Sequence, residues 1–279
     1  MPKIATGIGR TIDLRYPSNV FIAVATVVGG AIAFFPTLGD GFAEAFVAGA
    51  RAGGGTFLGW AIARELDPDR PWSAGVAAVL AFVVSFIGDP MLAVAGVALL
   101  ASRIAVRSTG LHPTPVDLLV VIGAAAYAAT RTGGFPVAVV LGLSLVVDGR
   151  LPGGSKRRVA IAGYGVLGAA VTSAAVAGNL VPDPTAAAGW DWLLVAVAVV
   201  GSVLVLRPPN VTSRSDWTDR PLEARRLRAS RIVALGVVAG SAVWAGGEGL
   251  AAAAPVAAAM AGSLLPQPSQ RAVPESARA

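Results

Sequence analysis

Residues Asp40–Pro71 read DGFAEAFVAGARAGGGTFLGWAIARELDPDRP. Positions 42–62 are apolar or small almost throughout, long enough for a helix crossing a hydrocarbon core of about 30 Å, which takes about 20 residues. Within that run stand Glu44, Arg51 and the triplet Gly53, Gly54, Gly55, followed by Thr56. A dense charged turn follows at once: Arg64, Glu65, Asp67, Asp69 and Arg70, stopped by Pro68 and Pro71. A water-soluble helix would carry a polar stripe along its whole length. This one confines its charge to a few positions and an end, as a membrane helix and its aqueous turn do.

The flanking chain repeats the plain version of that pattern. Apolar runs fall at about 20–38, 42–62, 73–88, 90–106, 116–131, 134–148, 159–180, 191–206, 231–249 and 250–265, the last broken by Pro255. Of the 279 residues 55% are hydrophobic and only 14% charged, with mean hydropathy +0.69; a soluble domain has about a quarter of its residues charged. Backbone polar groups in lipid must be satisfied within helices or a closed barrel. The runs lack the two-residue alternation of barrel strands. The expected fold is therefore all-α: a polytopic integral membrane helical bundle of about ten transmembrane helices arranged as hairpins. The four runs between 73 and 148 are short, so they either cross upright or re-enter. The pairs 73–106 and 116–148 share length and Gly-X-Pro openings (Gly88-Asp89-Pro90, Gly134-Phe135-Pro136), which suggests an internal repeat.

Charge placement sets the orientation. With the N-terminus inside, segments 1–19, 64–72, 103–115, 149–158, 207–231 and the tail after 265 hold every Lys and Arg except Arg51 and Arg131. That is the positive-inside pattern. The expected location is the cell (cytoplasmic) membrane, multi-pass, with both termini cytoplasmic. The expected division is an N-terminal segment 1–19, a membrane domain 20–265 containing the basic loop 207–231, and a disordered tail 266–279. Trp60 and Trp72 bracket one inside turn and Trp190 and Trp192 open a helix outside, as interfacial anchors do. The partners this implies are the lipid bilayer and a small anionic solute. No stretch interleaves basic and aromatic residues as a nucleic-acid surface does. A homo-oligomer is compatible with the sequence.

Arg51 near the middle of its run costs about 2.5–3.5 kcal/mol on the insertion scale, so it should face the interior and find a partner. Glu44 shares its face two turns away, too far for a direct pair, about 10 Å along the axis. Glu248 near the outer end of the ninth run is the favoured protein partner, or else a bound anion. The adjoining Gly53, Gly54 and Gly55 admit two readings. They permit close helix packing, in a small-residue stripe with Gly41, Ala45 and Gly49. Alternatively they break the helix, so that a half-helix starting near Thr56 turns free amides toward an anion. On the second reading Arg51, Glu44, Gly53–Gly55, Thr56 and Glu248 form the substrate site of a small-solute transporter or permease.

The turn Arg64, Glu65, Asp67, Asp69, Arg70 supports an alternative function. Asp67 and Asp69 would share a divalent cation with a phosphate, in an enzyme acting on lipid or polyprenyl phosphates. The bland reading is a rigid hairpin turn with internal ion pairs. A third function is a ligand-free accessory subunit. Cysteine is absent and His112 is the sole histidine, so thiolate sites and multi-histidine metal sites are excluded. No catalytic residue, resident metal or cofactor is assigned. Asp117 is expected to cap the fifth helix.

Overall fold

The computed structural model describes residues 6–10, 12–154, 157–183, 191–209 and 211–265, with backbone alone for 191–195 and 198. Lys3, Lys156, Trp190, the Trp192 side chain and the tail 266–279 lie outside the described residues. The fold is all-helical: α1 (Pro17–Thr37), α2 (Phe42–Leu66), α3 (Pro71–Val84), α4 (Leu92–Val106), α5 (Pro115–Ala129), α6 (Gly134–Asp148), α7 (Arg158–Val176), α8 (Asp191–Leu206), α9 (Ala224–Ala252) and α10 (Ala254–Leu264). Each expected apolar run carries one helix.

Local chemistry explains several starts. Pro17, Pro71, Pro115 and Pro255 sit in the first turns of α1, α3, α5 and α10, where a missing N–H costs nothing. Pro255 therefore opens the last helix and does not interrupt it. Thr114 and Asp117 form a reciprocal capping box on α5, as expected of Asp117.

Three helical stretches, Pro17–Asp40, Arg158–Val176 and Ala224–Ala252, are long and apolar enough to cross a membrane. The others do not reach that standard. The 14 residues of α3 rise about 21 Å and the 11 of α10 about 16 Å, against a core of about 30 Å. Ten complete crossings are thus not what these lengths give.

The hairpin expectation also needs correction. α1 and α2 pair, as do α5 and α6, and α9 and α10. α3 instead lies on α2 and α10, while α4 packs on α9, α6 and α2; α7 joins α5 and α6, and α8 joins α9 and α10. The 73–106 and 116–148 segments therefore fold differently, which removes the suggested repeat. The reason is α2. It touches α1, α3, α4, α9 and α10, and its glycines set the approaches. A Cβ on Gly53 would stand 2.6 Å from the Thr26 carbonyl oxygen of α1, and one on Gly59 would stand 2.6 Å from Ala81 Cβ of α3. Gly54 meets Leu92 of α4. Small residues let backbones approach where hydrophobic burial cannot drive packing, as in a bilayer.

α9 is bent near its end: Ala245 and Gly246 leave helical geometry, Gly246 at φ 53° and ψ −134°. The loop 207–223 folds over one end of the bundle, closed by a bridge between Arg214 and Pro221. On the flanks, α1 and α7 show large apolar side chains outward, among them Phe21, Val27, Phe35, Ile161 and Val176. Only 17% of the α1 apolar window and 28% of that of α7 are buried, so the bundle itself does not cover these helices.

Candidate ligand-binding site

The Arg51 constellation does not assemble. Arg51 Nη1 pairs with Asp89 Oδ1 at 2.6 Å, and the two side chains are 44% and 79% exposed. Glu44 and Glu248 are exposed as well. Neither the interior orientation nor the Glu248 partnership holds. The cause is the shortness of α3. Counted back from Leu66, Arg51 lies about 22 Å along α2, roughly the full height of α3, so the α3–α4 turn carrying Asp89 arrives at its level. α2 then continues about 14 Å further to Phe42. Nor is there a break at the glycines: α2 is continuous, and the Thr56 hydroxyl donates to the Ala52 carbonyl at 2.7 Å.

At the other end of α2 the basic segments converge. Glu65, 1% exposed, takes Arg10 Nη1 and Arg103 Nε, each at 3.2 Å. Arg103 also donates to the Ile8 carbonyl. Arg10 reaches on to Asp216 at 2.5 Å, so one guanidinium ties the N-terminal segment, α2 and the loop 207–223. Burial pushes the Arg10 charge toward neutrality, but the Glu65 and Asp216 carboxylates outweigh it and hold the guanidinium above its ordinary value.

Asp69 accepts from the Thr212 and Ser213 amides, both at 2.7 Å, and from the Ser213 hydroxyl. Asp67 instead faces Arg70 at 3.4 Å. Burial raises the Asp67 carboxyl above its usual range against the opposing pull of Arg70, Arg231 and Arg207. The two carboxylates serve different partners, so the alternative of a shared cation clamp does not form, and the Asp67–Arg70 pair is an internal ion pair of the hairpin turn. Among the described residues no group of three or more metal-type side chains comes together.

Sequence reasoning missed the deepest ion pairs. Asp148 receives one terminal nitrogen from each of two arginines: Arg107, which follows the last residue of α4, by Nη2 at 2.8 Å, and Arg226 of α9 by Nη1 at 3.0 Å. Arg226 further donates to the Pro152 and Ala105 carbonyls. Arg231 donates to the carbonyls of Leu66, Leu204 and Arg207, closing the ends of α2 and α8. The only local signal for the first pair is an acid, Asp148, ending an apolar run; its partners are 41 and 78 residues away.

Beside this knot opens a cavity of about 1420 Å³. α1 and α3 form its sides with Phe21 and Val76; α2 forms its back with Phe57 and Trp60; Trp72 and Tyr16, both exposed, stand at its edge. Arg10, Arg64, Arg103 and Arg214 line its polar end under the loop 207–223, together with Asp13, Glu65, Asp216 and Asp219. Arg64 is half-buried and makes no hydrogen bond or ion pair among the described residues. Burial and the like charge of Arg10 both raise the free energy of its cation, against partial relief from Glu65 and Asp216. A smaller chamber of about 110 Å³ adjoins, with Arg10, Arg64, Glu65, Arg214 and Asp216 lining both spaces.

No protein family, no curated protein and no solved structure matches this chain.

Proposed function

We propose that this chain is a multi-pass integral protein of the cell membrane that binds an anionic amphiphile in the cleft at its basic end. The observation that carries the reading is one cavity with two chemistries: aromatic and aliphatic walls continuous with the outward apolar face of α1, and a basic end where Arg64 has no partner among the described residues. A volume of about 1420 Å³ exceeds the roughly 300–1,000 Å³ usual for small-molecule pockets, and suits a chain plus a head. A half-buried guanidinium that no carboxylate contacts, with the like charge of Arg10 beside it, is costly, and an anion relieves that cost. The positive-inside pattern of the basic residues supports a cytoplasmic location for this end, and with it both termini. The amphiphile then enters sideways from the inner leaflet, between α1 and α3.

Movement of a small anion around Arg51 finds less support, because the cavity lies at the opposite end of α2 and does not include that residue. Transport remains compatible with the cleft as a loading site, with the amphiphile as cargo.

Trp60, Trp72 and Trp217 line the cleft and supply the test. In phosphatidylcholine nanodiscs, a brominated anionic single-chain amphiphile should quench their fluorescence saturably at low mole fraction, and its cationic counterpart should not. Gly75 lies on the cleft wall, with Phe21 the nearest obstacle at 3.9 Å from an added Cβ. Gly75→Leu fills the space and should abolish saturable quenching. Equal quenching by both probes, or no effect of Gly75→Leu, defeats the reading.

A further inference from the structure

The small chamber behind the cleft differs from it in kind: its lining is predominantly polar, and it is bounded by the α2–α3 turn at Pro68, by Ser108 after α4, and by Ser213 and Leu222 of the loop. Three guanidinium groups, Arg10, Arg64 and Arg214, face it against two carboxylates, Glu65 and Asp216. Glu65 takes Arg10 and Arg103 on Oε1 alone, and its buried Oε2 makes no full hydrogen bond among the described residues. Among the described residues the Arg214 side chain pairs with Asp219, both largely exposed, an arrangement that exchanges readily for a better anion. Ser108 is 4% exposed, and its hydroxyl is directed at the Glu65 carboxylate. The Arg64 guanidinium, with none of its donors engaged among the described residues, and the exposed Arg214 thus face one small space.

We propose that this chamber is the head-group site and that it takes a terminal phosphate, so that the ligand is a long-chain phosphate monoester. The inference rests on the amphiphile reading above. Two features select the head. Guanidinium forks match the paired oxygens of a phosphate, which Arg64 and Arg214 can grip together. The chamber, about 110 Å³, admits a phosphoryl group, and a monoester carries a second negative charge that a diester lacks, which gives two guanidiniums more to hold. The chain leaves through the shared wall into the cleft. Arg10, held by Glu65 and Asp216, remains in place and contributes its field.

The test uses full-length protein in phosphatidylcholine nanodiscs and three probes: 11,12-dibromododecyl phosphate, its methyl ester, and inorganic phosphate as competitor. Wild type should bind the monoester at least tenfold more tightly than the methyl ester. Inorganic phosphate at 10 mM, an arbitrary high dose on the order of intracellular anion levels, should not displace it, since affinity needs the chain. Arg64→Gln should lose the tenfold preference while retaining chain binding at the methyl-ester level, and Arg64→Lys should recover part of it. Equal affinity for both esters in wild type, with Gly75→Leu still abolishing quenching, overturns the phosphate assignment and leaves the cleft. Displacement by inorganic phosphate alone overturns the lipid source. Absence of saturable quenching by either ester removes the cleft reading as well. A thermal unfolding midpoint for Arg64→Gln close to wild type shows that its loss is not unfolding.

Discussion

Asp148 and Arg51 show how burial decides the weight of a charge. Asp148 is fully buried between Arg107 and Arg226, themselves nearly enclosed. Asp148→Ala leaves two guanidiniums facing each other without compensation, and should cost about 3–5 kcal/mol. In detergent the unfolding midpoint should fall on the order of 10 °C. Arg51→Ala breaks a pair open to solvent and should cost about 0–1 kcal/mol. A collapse of that variant would return Arg51 to the interior. Asp69 adds a pH dependence. Burial alone would raise its carboxyl, but the Ser213 hydroxyl and the Thr212 and Ser213 amides outweigh burial and hold it below its ordinary value. Its folded-state value thus lies under the unfolded one of about 3.9. The stabilisation is complete above the unfolded value and lost as pH falls through the folded one. Between pH 5 and 3, roughly spanning that value, the unfolding midpoint of wild type should drop more steeply than that of Asp69→Asn. Asp67, raised by burial, acts in the opposite sense and is common to both proteins.

For single elements, the glycines of α2 make the contrast. A Cβ at Gly53 meets backbone of α1 at 2.6 Å, whereas one at Gly55 meets only Pro255 Cγ at 3.9 Å. Gly53→Ala must push α1 away and should cost about 1–3 kcal/mol. Gly55→Ala keeps its space and gains helix propensity of about 1 kcal/mol. Opposite shifts in unfolding midpoint check this directly; equal shifts would mean that α1 and α2 are not in contact at Gly53. The same helix shows what a sequence reveals. Helix positions were legible because an apolar run between charged or proline-bearing turns has few alternatives: the expected 42–62 became 42–66, and 134–148 was matched at both ends. Pairing was not legible. α3 leaves α4 because Ala77 and Ala81 fit Gly59, a match between surfaces that hydropathy does not encode. The candidate site was less legible still. The charged turn at Arg64–Arg70 was singled out, as a metal clamp or as a hairpin turn with internal ion pairs, but its ties to distant segments were hidden, because Arg10 lies 55 residues from Glu65 and 206 from Asp216, and only the fold brings them together.

Across the molecule, the ionic knot constrains topology more tightly than helix length does. Arg10 joins the N-terminal segment to the end of α2 and to the loop 207–223. Asp148 joins the ends of α4 and α6 to the start of α9, and Arg207 reaches the Ser263 carbonyl at the end of α10. All these ends therefore lie on one side, so between any two of them the chain traverses the bundle an even number of times. At the opposite end the Ser241 hydroxyl donates to the Gly133 carbonyl, and Trp244 donates to Asn179, gathering the alternate turns. In the proposed membrane setting, parity is kept whether a short helix such as α3 reaches the far headgroups or stops in a thinned bilayer. Mismatch of that kind costs fractions of a kcal/mol per Å, about the level a thinned bilayer or snorkelling side chains absorb. The absence of cysteine makes this testable on an otherwise unaltered chain. Single cysteines at Asp13, Arg150 and Asp219, which are exposed at the basic end, should react with an impermeant maleimide only after the cells are opened. Cysteines at Asp40 and Asp183, exposed in the alternate turns, should react in intact cells. Labelling of Asp13→Cys and Asp219→Cys on different sides would contradict the Arg10 bridge itself. Labelling of all basic-end positions from outside would keep the bundle and invert it, moving the cleft to the outer leaflet.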